Sequence, residues 1–233
     1  MRLQDCEKIA SSTHPPNKDS TLRLQIADTW EESREEVEDD KAHVQVYLDG
    51  LGLEGMVGAV AVLFRDGQEV WTIRYQLGPL TCHTTYGAEV VGVILAAELI
   101  NRECAAHTAT IRLDNQAVIQ VLGGCSAKLA QYLLDLVHKA CKGWLTDRQC
   151  NCRQLTISWV SGHNGIQGNE RADSEARAAA CNRLSPEKEL PEVLLEQALP
   201  CSLTTMSGAF KESMWDRWKF IWVKSPQKGG WTK

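Results

Sequence analysis

The feature that most restricts the fold is a change of hydrophobic period partway along the chain. Between His43 and Leu77 the apolar residues alternate or run unbroken over short stretches: HVQVYLDG, VGAVAVLF and EVWTIRYQL. Runs of this length, rich in β-branched and aromatic residues, are strands. The first ends in Asp-Gly, and Arg65-Asp66-Gly67-Gln68 between the second and third is a hairpin signal, so the three form an antiparallel meander. Past Pro79 the period becomes helical from about Thr84 to Glu103, with Val90, Val91, Ile94, Leu95 and Leu99 on one broad face that must cover the sheet.

Single strands then alternate with helices. TIRLDN is a strand ending in Asp-Asn, AVIQVL a short helix stopped at Gly123-Gly124, and a longer helix is predicted from about Ser126 to Leu145. QLTISWVSGH supplies the last strand and GNERADSEARAAA the next helix. The order β-β-β-α-β-α-α-β-α predicts an α/β fold: a mixed five-stranded sheet, helices on both faces, and right-handed crossovers joining the later strands. Three regions follow. Residues 1–42 read as a polar, acidic linker with one helix, capped by Asp28 or Thr29; 43–182 form the domain; 183–233 are an extension with a final helix carrying Phe210, Met214, Trp218 and Ile221 at helical spacing.

Length and charge narrow the function. A chain of 233 residues holds one ordinary domain with appendages, too little for a polymerase and a nuclease together. Residues 1–43 carry 11 acids against 6 bases, whereas 208–233 carry 6 bases against 2 acids, so nucleic-acid binding would have to be local. Nine scattered cysteines with no apolar leader in MRLQDCEKIA predict a reduced, intracellular protein of cytoplasm or nucleus, not secreted. No CxxC or Cys/His quartet suggests zinc. The most apolar run, Ala88 to Ile100, is too short for a bilayer and carries Glu89 and Glu98, so no membrane is expected.

The chemistry resides in carboxylates. Asp49 at the end of the first strand, Glu89 on the long helix, Asp114 after the fourth strand and Asp173 on the last domain helix lie where a sheet can gather them. Two such charges about 5 Å apart repel by roughly 3 kcal/mol at an effective dielectric of about 20, so a cluster of them calls for cations. Hard oxygen ligands favour Mg²⁺, with Mn²⁺ as a substitute, and two such ions would clamp the attacking and leaving oxygens of a phosphodiester.

The wording around these residues resembles the type 1 ribonuclease H domain, in particular the one that retroelement polyproteins carry after their reverse transcriptase. VYLDGLG is similar to the family's Asp-Gly-Ser segment, YGAEVVGVILAAE to its Ala-Glu helix, RLDNQAVI to its Asp-Asn/Ser-Gln junction, and GHNGIQGNERAD to its Gly-His-x-Gly-x-x-Gly-Asn-x-x-Ala-Asp motif. The motifs arrive in the family's order, covering about residues 43–182. The resemblance implies that Asp49, Glu89, Asp114 and Asp173 bind two Mg²⁺ ions and that His163, in a glycine-rich loop, assists proton transfer or product departure. It further implies that Gly50, Asn115 and Gln116 meet ribose 2′-hydroxyls, with Thr84 a phosphate contact.

The implied activity is endonucleolytic hydrolysis of the RNA strand of an RNA–DNA hybrid, leaving a 5′-phosphate and a 3′-hydroxyl, with a reverse transcriptase domain or its remnant as a partner. The chain departs from the pattern at Leu51, Leu48 and Leu113, where the family carries small hydroxyl residues. Two other readings stand beside it: a catalytically weakened or inactive hybrid- or RNA-binding module, and another nuclease on the same fold, such as an integrase or a 3′–5′ exonuclease. The basic stretch from Cys125 to Arg153 is modest, and Lys211, Arg217, Lys219, Lys224 and Lys228 interleaved with Trp215, Trp218 and Trp222 are either an accessory grip on nucleic acid or a surface packed on the domain.

Overall fold

The computed structural model describes residues 6–7, 22–124, 131–146, 153–162, 164–196 and 198–224. In chain order its elements are β1 (Leu22–Gln25), α1 (Trp30–Glu38), β2 (Val44–Leu53), β3 (Met56–Arg65), β4 (Gln68–Pro79), α2 (Thr85–Arg102), β5 (Thr108–Leu113) and α3 (Gln116–Leu122). There follow α4 (Gln131–Leu145), β6 (Gln154–Trp159), α5 (Gln167–Ala180), α6 (Glu192–Leu195) and α7 (Leu203–Lys224). The strands form one mixed sheet in the order β1-β6-β5-β2-β3-β4.

The meander is set by two turns whose backbones suit the strand twist. Asp66 and Gly67, at φ of 52° and 74°, close β3 onto β4, and Glu54 and Gly55, at 52° and 80°, close β2 onto β3. The first strand therefore does not end at Asp49-Gly50. It continues to Leu53, with Asp49 opposite Val60 and Gly50 opposite Ala59. The parallel ladder to β5 stops earlier, at Tyr47 opposite Arg112, so Asp49 lies where β2 outruns its parallel neighbour.

The sheet has six strands rather than five. Leu22–Gln25 pairs in parallel with β6, from Leu22 opposite Leu155 to Gln25 opposite Ser158. The acidic run after it is tied to the sheet instead of standing off as a solvated stretch. Thr29 caps α1, its Oγ1 accepting from the Glu32 amide at 3.1 Å. The Arg112 guanidinium, only 2 % exposed, donates to Asp40 at 2.8 Å and to the Glu36 carbonyl at 3.1 Å. A buried guanidinium needs such partners, because an unpaired charge in that environment is costly.

Helices cover both faces. On one, α2, α3 and α4 enclose a core with Leu48, Ile73, Ile94, Leu95, Ile111, Ile119 and Trp144 at its centre. Helix α2 is buried nearly all round because it lies between the sheet and α4, so its apolar residues extend past the single face read from the spacing. On the other face α5 packs Ala172 and Ala176 against Tyr47, Val60, Val62 and Phe64.

Helix α7 is held at its first turn, where the Leu203 amide donates to Glu7 Oε1 at 2.9 Å and the Ser202 amide to the Cys82 carbonyl at 2.6 Å. Farther along it exposes Phe210, Met214, Trp218 and Ile221 to solvent, and Trp215, Trp218 and Trp222 stack in succession with centroids 5.0 and 5.2 Å apart. These tryptophans do not pack on the described domain. Lys128, Arg148 and Lys228 lie outside the described residues. Among the described residues, no helix is long and apolar enough to cross a membrane.

Candidate active site

Three carboxylates meet where β2 runs past β5. Asp49 comes from β2, Asp114 follows the last residue of β5, and Glu89 lies in the second turn of α2. One oxygen of each lies within 4.8 Å of the others. Glu89 is brought there by a close approach of backbones: a Cβ on Gly50 would stand 2.4 Å from the Glu89 amide nitrogen and 2.7 Å from Ala88. Only glycine lets β2 and the start of α2 come so near. On the far side Gly162 presses on Asp114, since a Cβ there would lie 2.8 Å from Asp114 Oδ2.

The electrostatics follow from burial and crowding. Asp49 is pushed up to about 6 by burial first and then by the negative charge of Asp114, although the Gly50 amide, donating to its Oδ1 at 2.8 Å, pulls the other way. Glu89, 5 % exposed, is raised well above the usual carboxylate range by burial, reinforced by Asp49 and Asp114. Its Oε2 is buried with no hydrogen-bond partner. A buried polar atom in that state is either strained or waiting for a ligand. An all-carboxylate set with an orphaned oxygen fits a hard divalent cation, which would relieve the repulsion and supply the missing partner.

The fourth carboxylate stands apart from this trio. Asp173 lies on α5 and is held by Arg177 one turn on, both carboxylate oxygens accepting at 3.1 Å. Its charge still reaches Asp49 and helps raise it, while Arg177 lowers it. His163 lies outside the described residues.

Apart from Gly50 on β2, the residues expected to touch substrate lie at the starts of two helices, α2 and α3. Thr84 caps α2, its Oγ1 accepting from the Gly87 amide at 2.9 Å. Asn115, next to Asp114, caps α3 with Oδ1 accepting from Ala117 at 3.1 Å, and Gln116 begins that helix. Two of the leucines that replace family hydroxyls face the core: Leu48 packs toward Gly92 of α2, and Leu113 is fully buried in the same cluster. Leu51 packs partly buried on the α5 face.

The contacts of three contributors were not read from the sequence. Arg177 had a visible signal, its spacing of four from Asp173 on a helix. Gly162 was visible as the first glycine of the His163 motif, though its contact with Asp114 was not, and Trp159, whose indole N–H donates to the Asp114 carbonyl at 3.0 Å, had no signal, because both contacts are made across the fold.

Comparison with known proteins agrees with the residues quoted from the sequence. The family model described as RNase H matches residues 41–181. The ribonuclease H of Pseudoalteromonas translucida is 28 % identical over 155 residues, covering 59 % of this chain and 89 % of that protein. That of Nitrosococcus oceani is 28 % identical over 156 residues, covering 60 % and 95 %. Among solved structures, RNase H1 of the archaeon Halobacterium salinarum is similar at a TM-score of 0.45 and 24 % identity, covering 60 % of this chain and 98 % of that one. LC11-RNase H1 in complex with an RNA/DNA hybrid gives 0.47 and 17 %, covering 61 % and 99 %. With the family match spanning more than half of the residues and enclosing all four carboxylates, this chain belongs to the ribonuclease H family.

Proposed function

We propose that the chain is an endonuclease hydrolysing the RNA strand of RNA–DNA hybrids with two divalent cations, Mg²⁺ or in its place Mn²⁺. The observation that carries this reading is the trio Asp49, Glu89 and Asp114 within 4.8 Å, with Glu89 Oε2 buried and unpartnered. Those three would hold one ion, and Asp173, released from Arg177, would share the second with Asp49. Bound there, the cations would acidify a water and offset the charge gathering on the phosphate.

The chain's own residues do the remaining work by position. Gly50 keeps β2 and α2 close enough for Asp49 and Glu89 to act together. With its Oδ1 engaged in the α3 cap, Asn115 has its amide NH₂ left to donate to a ribose 2′-hydroxyl, and Gln116 stands beside it. The Thr84 oxygen accepts from Gly87, which leaves its O–H to donate to a phosphate oxygen. His163 is assigned proton transfer or product departure on its motif alone. Residues 43–182 would form the catalytic domain. The retroelement kinship, with a reverse transcriptase as partner, rests on the wording of the four motifs; the curated relatives reported above are bacterial ribonucleases H.

The test is cleavage of labelled RNA–DNA hybrid, duplex RNA and duplex DNA with Mg²⁺ and with Mn²⁺. The expected result is metal-dependent cutting of the RNA strand of the hybrid, lost in Asp114→Asn. Equal cutting of duplex DNA would favour another nuclease on this fold, and no cutting with retained hybrid binding would favour an inactive module. The burial of Leu48 and Leu113 in the core supports the catalytic reading over the weakened one, while Leu51, two positions from Asp49 on β2, shares that residue's side of the strand.

A further inference from the structure

The N-terminal segment Leu22–Asp40 lies before the family match, which starts at residue 41, yet it reaches the active-site margin through one side chain. Ser33, in the middle of α1, is wholly buried although most of that helix is exposed. Its Oγ donates to the Trp159 carbonyl at 3.2 Å and accepts from the Ser161 amide at 3.1 Å. A serine hydroxyl can do both at once, which an alanine or a cysteine of similar size cannot match. The Ser158 hydroxyl, with one proton to give, stands 3.4 Å from both the Trp159 carbonyl and Glu36 Oε2, so the carbonyl has an alternative donor and the Ser161 amide is the group that depends most on Ser33.

Both residues held by Ser33 bear on Asp114. The Trp159 indole N–H donates to the Asp114 carbonyl at 3.0 Å, and the Val160 amide donates to the Leu113 carbonyl at 2.9 Å. Ser161 is followed at once by Gly162, whose backbone lies against the Asp114 carboxylate. Helix α1 is fixed in turn at several points: by Arg112 on Asp40 and on the Glu36 carbonyl, and by Gln25 Nε2 of β1 donating to Glu36 Oε1 at 2.6 Å. The chain of contacts therefore runs from the sheet edge through α1 and Ser33 to the main-chain carbonyl of Asp114 on one hand and, through Gly162, to the carboxylate that would bind metal on the other.

We propose that Ser33 is a positioning residue for the hydrolytic reaction, holding Trp159 and Ser161 so that Gly162 and Asp114 keep the geometry the site needs; this rests on the hydrolase reading above. The segment Leu22–Asp40 is thereby a working part of the catalytic unit, although the family match does not include it.

The experiment is Ser33→Ala in the full chain, with two readouts. Amide hydrogen exchange in the protein without added metal should quicken at Ser161 by at least about tenfold, while the β6 amides of Leu155 and Ile157 keep their wild-type rates. On hybrid substrate with Mg²⁺, kcat per folded molecule should fall by about tenfold with KM within about twofold, because the substrate contacts are intact and the metal-binding group is loosened. A purely structural serine would quicken the β6 amides equally and leave kcat unchanged per folded molecule, and that result, or an unchanged Ser161 amide, overturns the proposal. Exchange needs no catalysis, so a wild-type chain that left hybrids uncut would refute the hydrolase reading and the catalytic role together, while quickened Ser161 exchange would still locate the buttress.

Discussion

Asp49→Asn separates the stability of the site from its activity. Asp49 has its carboxyl raised from 3.8 to about 6, chiefly by burial and by Asp114. A carboxyl whose folded pKa is raised favours folding fully below its unfolded value and loses that contribution as pH rises through the folded one. At about 1.4 kcal/mol per pH unit the loss at pH 7.5 is about 3 kcal/mol. The direct repulsion of two charges about 4.8 Å apart, about 3 kcal/mol at an effective dielectric of about 20, is of the same size. Asn keeps the shape and an Oδ1 to accept from Gly50, and removes the charge.

In chelator, then, Asp49→Asn should be more stable than wild type by about 3 kcal/mol at pH 7.5, a gain of about 6–12 °C in melting temperature. The advantage should shrink to about 1 kcal/mol at pH 4.5, where the wild-type carboxyl is mostly protonated in the fold. Mg²⁺ should raise the wild-type melting temperature and leave the variant unchanged, since only the former retains the full ligand set. Thermal melts at both pH values, with and without Mg²⁺, measure all of this. A variant that is no more stable than wild type at pH 7.5 in chelator, or whose advantage does not change with pH, refutes the reasoning from crowded charge.

Four further outcomes follow from particular contacts. Gly50→Ala forces a Cβ to 2.4 Å from the Glu89 nitrogen, so urea melts should show a loss of about 2–3 kcal/mol together with loss of Mg²⁺-dependent stabilisation. Arg112→Met strands Asp40, whose side chain is 13 % exposed, and should cost about 3 kcal/mol at neutral pH; an unchanged melt would show that α1 is not held by this pair. Arg177→Ala removes a positive charge that lowers Asp49 and frees Asp173, which raises it, so the Asp49 midpoint followed by carboxyl ¹³C NMR should move upward; a downward move contradicts the arrangement. Replacing Trp215, Trp218 and Trp222 together by Ala should change domain stability by less than about 1 kcal/mol while abolishing their stacked near-ultraviolet dichroism, because they rest on one another and on solvent.

How far the site could be read in advance differs from residue to residue. Asp49, Glu89 and Asp114 were legible because each sits in a distinctive local phrase, and their convergence to 4.8 Å needs only that β2, β5 and α2 be neighbours. Asp173 stood out by its motif and Arg177 by its spacing of four on the same helix, but that Asp173 stands outside the trio depends on how α5 docks on the sheet. The worry attached to Leu48 and Leu113 was a matter of facing: beside an acidic residue in sequence, each points to the opposite side of the sheet, as the period of two requires.

The amino-acid order by itself determined what is local: the Asp66-Gly67 turn, the helical period of α2, a cap of α1 at Asp28 or Thr29, and the carboxylate motifs. These depend on dihedral preferences and on spacings of a few residues, which the chain carries wherever it goes. Tertiary structure alone decided that LRLQ at Leu22–Gln25 becomes a sixth strand, that β2 continues past Gly50 to Leu53, and that an acidic stretch closes over Arg112. It also decided that Ser33 reaches Ser161 across 128 positions of sequence. Such features exist only once strand register and helix docking are fixed, because a short polar segment has no pattern of its own to declare the partner that will bury it.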